Sequence, residues 1–426
     1  MNKILSKIWS KISQKNITDS RVMAEISETR EMATSSSRDI GESRLADYCP
    51  YCNSKDFVKR GTRKKKLEIV QLYLCRNCKR TFTAQFVKGK HYPTKLIIDA
   101  ISIYNLGYGL EETCRLVNER YRLGQKGKVS DAQRSGNIGI GASTLNDWQK
   151  EYSGLCRYAR LRPFATKMFK PEHTIETITL AHRQLYRYRF HRAKMALTLQ
   201  EYKHRHFGPL KSYLEAVFTE TPHQYFQDGR RMSEIKTKFS KAQMIVRAKK
   251  NYANQLAEFV LQAVKDNKQR HEALQKFMLA NDSVTVATEV PVYIRGEDIG
   301  HMENELNFDI GEYENKAGQV LLTGHIDLIQ VRNGQIHILD FKPNAAKERP
   351  IEQLTWYALA LSRLTGLRLF EFKCAWFDGT DYFEFYPLHV VKKITHRIKN
   401  KKVFLKARGT SVEIPNEDLG RKVKIV

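Results

Sequence analysis

The sequence lacks any apolar run of about 20 residues, the length that a membrane-spanning helix requires. Its amino-terminal stretch, MNKILSKIWSKIS, is interrupted by lysines, so it has no continuous apolar core of the kind found in secretory signal peptides. An internal repeat is also missing. These absences argue against a membrane protein or a membrane partner and predict an intracellular, cytoplasmic protein.

Acidic residues are fewer than basic ones: the sequence has 46 Asp and Glu and 73 Lys and Arg, which gives a formal net charge of +27. A surplus of this size usually indicates a polyanionic partner, most often nucleic acid. A generally solvated basic surface is the alternative. The chain has 426 residues. That is long enough for roughly two to four domains, each with its own core.

Cysteine is sparse, and its odd count of seven does not favour a disulfide framework. Four cysteines form two CxxC pairs, Cys49 with Cys52 and Cys75 with Cys78. Four thiolates in this arrangement can surround Zn²⁺, and the strand-like LEIVQLYL between the pairs is typical of a zinc ribbon. A redox role is less favoured, because no thioredoxin-like pattern surrounds either pair. The basic stretch KRGTRKKK predicts a phosphate-binding loop, or else serves solubility.

Three short helices are predicted after the ribbon, in PTKLIIDAISIYNLG, LEETCRLVNERY and STLNDWQKEY. They suggest a helix-turn-helix unit whose last helix enters the major groove of DNA, with a plain helical bundle as the alternative. A long Gly- and Lys-containing stretch separates the second helix from the third. Together with the ribbon and RTFT (80–83), residues 47–153 resemble the amino-terminal part of insertion-sequence transposases, which implies DNA binding.

The stretch GHIDLIQVRNGQIHILDFKP predicts a β-hairpin, because Asn333-Gly334 is the preferred pair where both turn residues need positive φ. This turn places Asp327 opposite Asp340, with Lys342 on the same side of the sheet. Like charges that face each other are destabilising. Two converging carboxylates can instead hold Mg²⁺ or Mn²⁺ and leave positions for water and a phosphate oxygen. The alternative is a solvent-facing hairpin with a salt-bridge ladder.

The hairpin and the segment after it resemble the PD-(D/E)xK nuclease superfamily, particularly its RecB-like branch. The motifs GxxD, D-aromatic-K and QxxxY appear here in that order as GHID, DFK and QLTWY. The resemblance implies a metal-dependent nuclease. The roles it implies are metal ligand for Asp327 and Asp340, catalytic lysine for Lys342, and helper near the metal or the substrate backbone for Gln353 and Tyr357.

Family members often add an acidic residue or a histidine upstream of these motifs. Glu289, in the strand-like TVATEVPVYI, is our first choice for the third acidic ligand, and Glu234, in GRRMSEI, is the second. The upstream histidine of RecB-like members has no clear counterpart in the sequence. The role of His325 stays open: it is expected to be a metal ligand, an acid-base group or a simple hydrogen-bonding residue.

The predicted fold class is α/β and multidomain. The expected units are a polar segment and linker (1–46), a zinc ribbon (47–91), a helix-turn-helix (92–153), a basic helical region (154–280), a restriction-endonuclease-like αβββαβ core (281–390) and a basic tail (391–426). In the basic helical region, one group of residues is expected either to bind along a nucleic-acid strand or to form the solvated face of a helix. That group is His182, Arg183, Tyr186, Arg187, Tyr188 and Arg189.

The leading hypothesis is a Mg²⁺- or Mn²⁺-dependent deoxyribonuclease with a structural Zn²⁺, delivered to DNA by the ribbon and the helix-turn-helix. Mobile-element or DNA-repair processing is the expected setting, at the nucleoid, with RNA as an alternative substrate. The second hypothesis is a DNA-binding regulator or scaffold whose nuclease-like domain does not cut. Endonuclease and exonuclease action, substrate specificity and oligomeric state stay open.

Overall fold

The computed structural model describes most of the chain between residues 49 and 391 and two further strands near the carboxyl end. The described residues are 49, 51–52, 54–64, 69–83, 92–124, 139–235, 245–248, 250–264, 269–306, 321–391, 403–407 and 410–414. In these residues, no helix combines the length and the apolar character needed to cross a membrane. The predicted polar segment 1–46 lies outside them, as does much of the basic tail.

The cysteine-bearing segment folds into a small antiparallel sheet of three strands, β1 (Phe57–Lys64), β2 (Ile69–Cys75) and β3 (Thr81–Thr83). Its core is aromatic, because the rings of Tyr73 and Phe82 stack with centroids 5.6 Å apart. The described part of the basic stretch belongs to β1, where the pairing with β2 shifts between Lys59 and Thr62. The expected loop is thus a bulged strand as far as residue 64.

Three helices follow, as the sequence predicts: α1 (Thr94–Asn105), α2 (Leu110–Arg120) and α3 (Ala142–Glu151). Leu96, Ile97 and Ile101 recur at helical spacing and are fully buried. A fourth, shorter helix, α4 (Arg162–Met168), comes next. The part of the long insertion that spans 125–138 lies outside the described residues.

The middle region is only partly helical, so the prediction of a helical region over 154–280 is wrong for residues 175–191. Two strands form a hairpin there, β4 (Ile175–His182) and β5 (Gln184–His191). The reason is the period of two in QLYRYRF, where aromatic residues alternate with arginines, a pattern that suits a strand with one buried face. The elements that follow are α5 (Arg192–Thr198), α6 (Gly208–Glu220), α7 (Tyr225–Asp228), β6 (Arg230–Arg231), β7 (Val246–Ala248), α8 (Tyr252–Leu261) and α9 (Arg270–Asn281).

The remaining elements, taken together with α9, follow the predicted αβββαβ order as far as residue 377, with one helix inserted between the first two strands. They are β8 (Thr285–Arg295), α10 (Gly296–Leu306), β9 (Leu321–Arg332), β10 (Gln335–Phe341), α11 (Ile351–Thr365), β11 (Phe372–Phe377), β12 (Tyr382–Phe385), α12 (Pro387–Val391), β13 (Val403–Ala407) and β14 (Thr410–Ile414). The large mixed sheet has the order β4-β5-β8-β9-β10-β11-β12-β7, and β6 pairs with β9. Because α11 connects β10 to the parallel strand β11, these three elements form a βαβ unit.

The sheet is covered on both faces. Along β10, Ile336 and Ile338 belong to one hydrophobic cluster, whereas Leu339 and Phe341 belong to the other. The first cluster is shared with α6, α11 and α12, and the second with α1, α2, α3, α8 and α9. The three helices after the ribbon therefore belong to one of the two layers that cover the sheet.

Polar contacts reinforce the packing of α1 against α9. The buried Asn105 amide donates to Asn281 Oδ1 (2.7 Å), and Asn281 Nδ2 donates to Ser102 Oγ (2.8 Å). The Arg162 guanidinium caps the end of α1 by donating to the carbonyl oxygens of Tyr104 (2.8 Å) and Tyr108 (2.7 Å). Since a buried amide without a partner costs free energy, these bonds specify one arrangement of the helices on the sheet.

Candidate functional site

The four cysteines of the two CxxC pairs converge on one point of the small sheet. Their Sγ atoms all lie within 4.8 Å of one another, with Cys49 and Cys78 separated by 3.6 Å and Cys52 and Cys75 by 3.5 Å. A hydrogen bond from the backbone of Cys78 is the largest of the contributions that lower the pKa of Cys75 to about 7. Four soft thiolate ligands at this separation fit a tetrahedral Zn²⁺ site.

The predicted hairpin register is confirmed. Asn333 and Gly334 both have positive φ, 55° and 73°, and the described ladder between β9 and β10 runs from Arg332↔Gln335 to Leu328↔Leu339. One step further along this register, Asp327 faces Asp340. The backbone N–H of Phe341 approaches Asp327 Oδ2 at 3.4 Å, which ties the end of β10 to that carboxylate.

Helix α9 adds a histidine to the two aspartates. His271 Nδ1 lies 3.3 Å from Asp327 Oδ2, and the His271 ring packs edge-on against Phe341 with centroids 5.1 Å apart. Our sequence reasoning missed this residue. His271 and Gln275 are four apart on a helix that directly precedes β8, so their shared helix face was the signal available in the sequence.

Glu289 lies on β8 beside the aspartates, and Gln275 Nε2 donates to its Oε1 at 2.6 Å. The backbone of Glu289 is left-handed, with φ of 52°, inside a strand. Such a conformation is uncommon for a residue with a side chain, and it aims the carboxyl group out of the regular strand pattern. Burial, followed by the charge of Asp327, raises the pKa of Glu289 to about 7. Glu234, the second choice, is instead exposed on a single 3-10 turn (Met232–Glu234).

The pKa values of the two aspartates shift in opposite directions because their partners differ. Burial and the neighbouring Asp327 charge raise the pKa of Asp340 well above its ordinary value. Burial alone would raise the pKa of Asp327 too, but the hydrogen bond and charge of His271 hold it below the ordinary value. A cation bound between the two carboxylates would relieve this conflict of charge.

Lys342 follows the last residue of β10, and its backbone N–H donates to the carbonyl oxygen of Phe377 (3.0 Å). Its Nζ lies 2.9 Å from Asp340 Oδ2, although this buried oxygen accepts no hydrogen bond of good geometry. Burial would lower the pKa of Lys342, but the charge of Asp340 raises it above the ordinary value, so the side chain stays an ammonium.

The QLTWY segment lies on α11 above the same face of the sheet. Gln353 Nε2 donates to the hydroxyl oxygen of Tyr357 (2.8 Å), as expected for residues four apart on a helix. The Tyr357 ring packs directly on the backbone of Gly324, where a Cβ would lie 3.2 Å from Cδ1 and 3.3 Å from Cζ. The glycine of the GHID segment is thus needed for the close approach of α11 to β9.

The donor set of this acidic cluster fits a divalent cation. Carboxylate oxygens suit Mg²⁺ and Mn²⁺, an imidazole nitrogen is compatible with Mn²⁺, and a buried oxygen of Asp340 is left without a hydrogen bond. The candidate ligand atoms of the acidic cluster are farther apart than those of the cysteine cluster. Among the described residues, the four cysteines are the one group in which three or more such ligand atoms all lie within 4.8 Å of one another.

A comparison with protein families gives this site its context. Residues 190–379 match the model of the PD-(D/E)XK nuclease superfamily. This region is a PD-(D/E)XK domain. Proteins of that superfamily are generally nucleases that need divalent metals. No curated protein and no solved structure matches the chain. The match begins at residue 190, well before residue 281, where we predicted the nuclease core to start. It therefore includes α9 with His271.

Proposed function

We propose that this protein is a divalent-metal-dependent deoxyribonuclease of the RecB-like type. The observation that carries the proposal is the convergence of one imidazole, two facing carboxylates and one ammonium where the end of β10 lies beside the middle of β9, inside a PD-(D/E)XK domain. The residues that would hold Mg²⁺ or Mn²⁺ are Asp327, Asp340, His271 and, across the site, Glu289.

The bound metal would lower the pKa of a water molecule and offset negative charge on the phosphate. The chain's own residues account for the remaining requirements. His271 lowers the pKa of Asp327, which favours its ionised form, and Lys342, held by Asp340, can donate hydrogen bonds to the attacking water or to a phosphate oxygen. Gln353 and the Tyr357 hydroxyl, bonded to each other on α11, are proposed to bind the substrate backbone.

Targeting to DNA is the second part of the proposal. A zinc ribbon held by the four cysteines and a helix-turn-helix formed by α1, α2 and α3 would bring a cytoplasmic, nucleoid-associated enzyme to DNA. The support is the cysteine geometry, the three helices and the formal net charge of +27, which favours a polyanionic substrate. The pairing of such a ribbon with a nuclease domain suggests mobile-element or DNA-repair processing.

The test is cleavage of end-labelled single-stranded and duplex DNA with Mg²⁺ or Mn²⁺, by wild type and by Asp340→Asn and Lys342→Met. We expect each variant to lose at least about 100-fold in rate while still retaining DNA in a filter-binding assay. The matched control is Glu384→Gln, which breaks a Lys-carboxylate pair (2.7 Å to Lys373) elsewhere in the same sheet and should keep full activity. Retention of DNA by wild type without cleavage under either metal would favour the regulator hypothesis instead.

A further inference from the structure

The β4-β5 hairpin lies almost entirely before residue 190, where the match to the nuclease superfamily begins. It nevertheless reaches the acidic cluster that contains Asp327 and Glu289. In the described ladder, β5 pairs with β8 at Arg189↔Thr288 and Phe190↔Ala287. The pairing ends at Thr288, directly before Glu289, the residue with the left-handed backbone. Towards its tip, the hairpin is held by side chains that reach β9 rather than by a continued strand ladder.

Three histidines form this attachment. His182 Nδ1 lies 2.8 Å from His325 Nε2, and His182 Nε2 lies 2.9 Å from His223 Nδ1. His223 Nε2 is 3.3 Å from the carbonyl oxygen of Phe218. Because a carbonyl oxygen only accepts, His223 donates to it, and the same direction of donation then runs from His325 through His182 to His223 when all three rings are neutral.

The environment of the His182 ring agrees with a neutral histidine. Burial, followed by the charge of His223, lowers the pKa of His182 to about 4. The Phe226 ring stacks on His182 with centroids 3.9 Å apart, so packing and hydrogen bonds together fix the plane of His325.

The fixed His325 ring supports Tyr186. The two rings are nearly parallel, at an angle of 7°, with centroids 3.5 Å apart. His325 is two residues before Asp327 on β9 and therefore points to the same face of the sheet as that carboxylate. Of the aromatic residues on β5, Tyr188 and Phe190 are both 1% exposed, whereas Tyr186 keeps part of its surface accessible.

The other face of β5 is basic. Arg189 Nη2 lies 2.9 Å and Arg187 Nη1 3.6 Å from the carboxylate of Glu272, which is next to His271 on α9. Lys276 Nζ contacts the same carboxylate at 3.0 Å, so three cations share one negative charge. These cations lie on the face of β5 opposite Tyr186, so base stacking on the Tyr186 ring, and not a shared basic surface, is the contact that a single-stranded nucleic acid would make here.

We propose that Tyr186, backed by His325, stacks an unpaired nucleobase next to the scissile phosphate, which makes single-stranded DNA the substrate of this site. A base inside a duplex would have to leave its own stack before it could reach a protein ring. This inference rests on the proposed nuclease function. It assigns Tyr186 a role in binding the substrate and His325, His182 and His223 a positioning role.

The test is a double-mutant cycle that removes the ring or the bases. Wild type and Tyr186→Ala are compared on a thymidine oligonucleotide and on an abasic backbone of the same length, with kcat/KM as the readout. We expect Tyr186→Ala to lose about 5- to 150-fold on thymidine DNA and less than about twofold on the abasic backbone. Tyr186→Phe should keep wild-type values, and duplex DNA should be cut more slowly than single strands.

The matched control is Tyr202→Ala. Tyr202 is an 86% exposed tyrosine on a 3-10 segment beside the Asn333-Gly334 turn, at the opposite end of β9 and β10 from Asp327. Its removal should not discriminate between the two oligonucleotides. Equal losses of Tyr186→Ala on both oligonucleotides, or no loss on either, would overturn the proposal, as would preferential cleavage of duplex DNA.

Binding separates this inference from the nuclease proposal. Fluorescence anisotropy of both oligonucleotides is measured with the full-length Asp340→Asn protein, with and without Tyr186→Ala. Stacking is supported if the protein binds thymidine DNA more tightly than the abasic backbone and Tyr186→Ala abolishes this preference, even if wild type cuts nothing. If the protein shows no such preference, stacking is refuted. Tyr186→Leu, which keeps an apolar contact with His325, shows whether a loss comes from the aromatic ring or from misfolding of the hairpin.

Discussion

Replacing Gly324 with alanine tests the close approach of α11 to β9 that builds the candidate site. The new Cβ would lie 3.2 Å from Tyr357 Cδ1 and 3.3 Å from Cζ, and closer still to Cε1. The ring cannot move away freely, because Tyr357 is buried and its hydroxyl is bonded to Gln353 at 2.8 Å. Over-packing of a buried site of this kind typically costs about 1–3 kcal/mol.

We therefore expect Gly324→Ala to lower the free energy of unfolding by about 1–3 kcal/mol, measured by urea denaturation at constant m-value. The displaced Tyr357 and Gln353 should also reduce DNA cleavage, by up to about 100-fold for a shift near 1 Å. The matched control is Gly300→Ala, on α10, where nothing lies within 4 Å of the added Cβ. In a helix interior, that change should be neutral or stabilising by up to about 1 kcal/mol.

A second substitution distinguishes the clash from a general effect of the added methyl group. Tyr357→Ala removes the ring that the Cβ of Gly324→Ala would meet, so the double variant should be no less stable than Tyr357→Ala alone. The two changes would then be strongly non-additive. Additive losses, or a Gly324→Ala protein as stable as wild type, would refute the packing argument.

Further predictions concern other parts of the site and its support. His271→Ala should lower metal-dependent cleavage and weaken Mn²⁺ binding measured by calorimetry, because Asp327 loses the partner that favours its ionised form; unchanged Mn²⁺ affinity would remove this residue from the ligand set. Cys75→Ser should release zinc, measured by metal analysis of the purified protein, and a full zinc content would contradict the four-cysteine site. Asn105→Leu leaves Asn281 Oδ1 without its partner and should cost about 1–3 kcal/mol in urea denaturation, with no loss arguing against a buried amide pair. Burial raises the pKa of Glu289 from 4.5 in the unfolded chain to about 7, so the folded state binds more protons between these values and loses stability as pH rises. Without divalent ions, Glu289→Gln should therefore gain stability relative to wild type as pH rises from about 4.5 through about 7. A difference in stability that stays constant over this pH range would contradict the shift.

Local sequence signals predicted the parts of the site that depend on a few neighbouring residues. The Asn333-Gly334 turn fixes the register of β9 and β10, and this register alone brings Asp327 and Asp340 face to face. The spacing of four between Gln353 and Tyr357 likewise fixes their hydrogen bond once the segment is helical. In both cases the relevant geometry is contained within one element or one hairpin.

The sequence was less informative where the site depends on distant segments. His271 is 56 residues before Asp327, and its approach requires the packing of α9 on the sheet, which no local pattern specifies. The hairpin of β4 and β5 was predicted to be helical, although the period of two in QLYRYRF favours a strand. Its contribution to the site also depends on long-range contacts, chiefly the bond between His182 and His325.

Helix α9 connects the two parts of the molecule that the sequence suggested as separate units. Near its start, His271 lies beside Asp327 in the candidate site, and at its end Asn281 is bonded to α1. Between them, Leu274 and Phe277 belong to the hydrophobic cluster that also contains Phe341, the residue between the catalytic candidates Asp340 and Lys342. A displacement of α1 to α3 would thus disturb the packing under the candidate site itself. If these helices bind DNA, the site they bind and the bond that is cut should be separated by a constant distance.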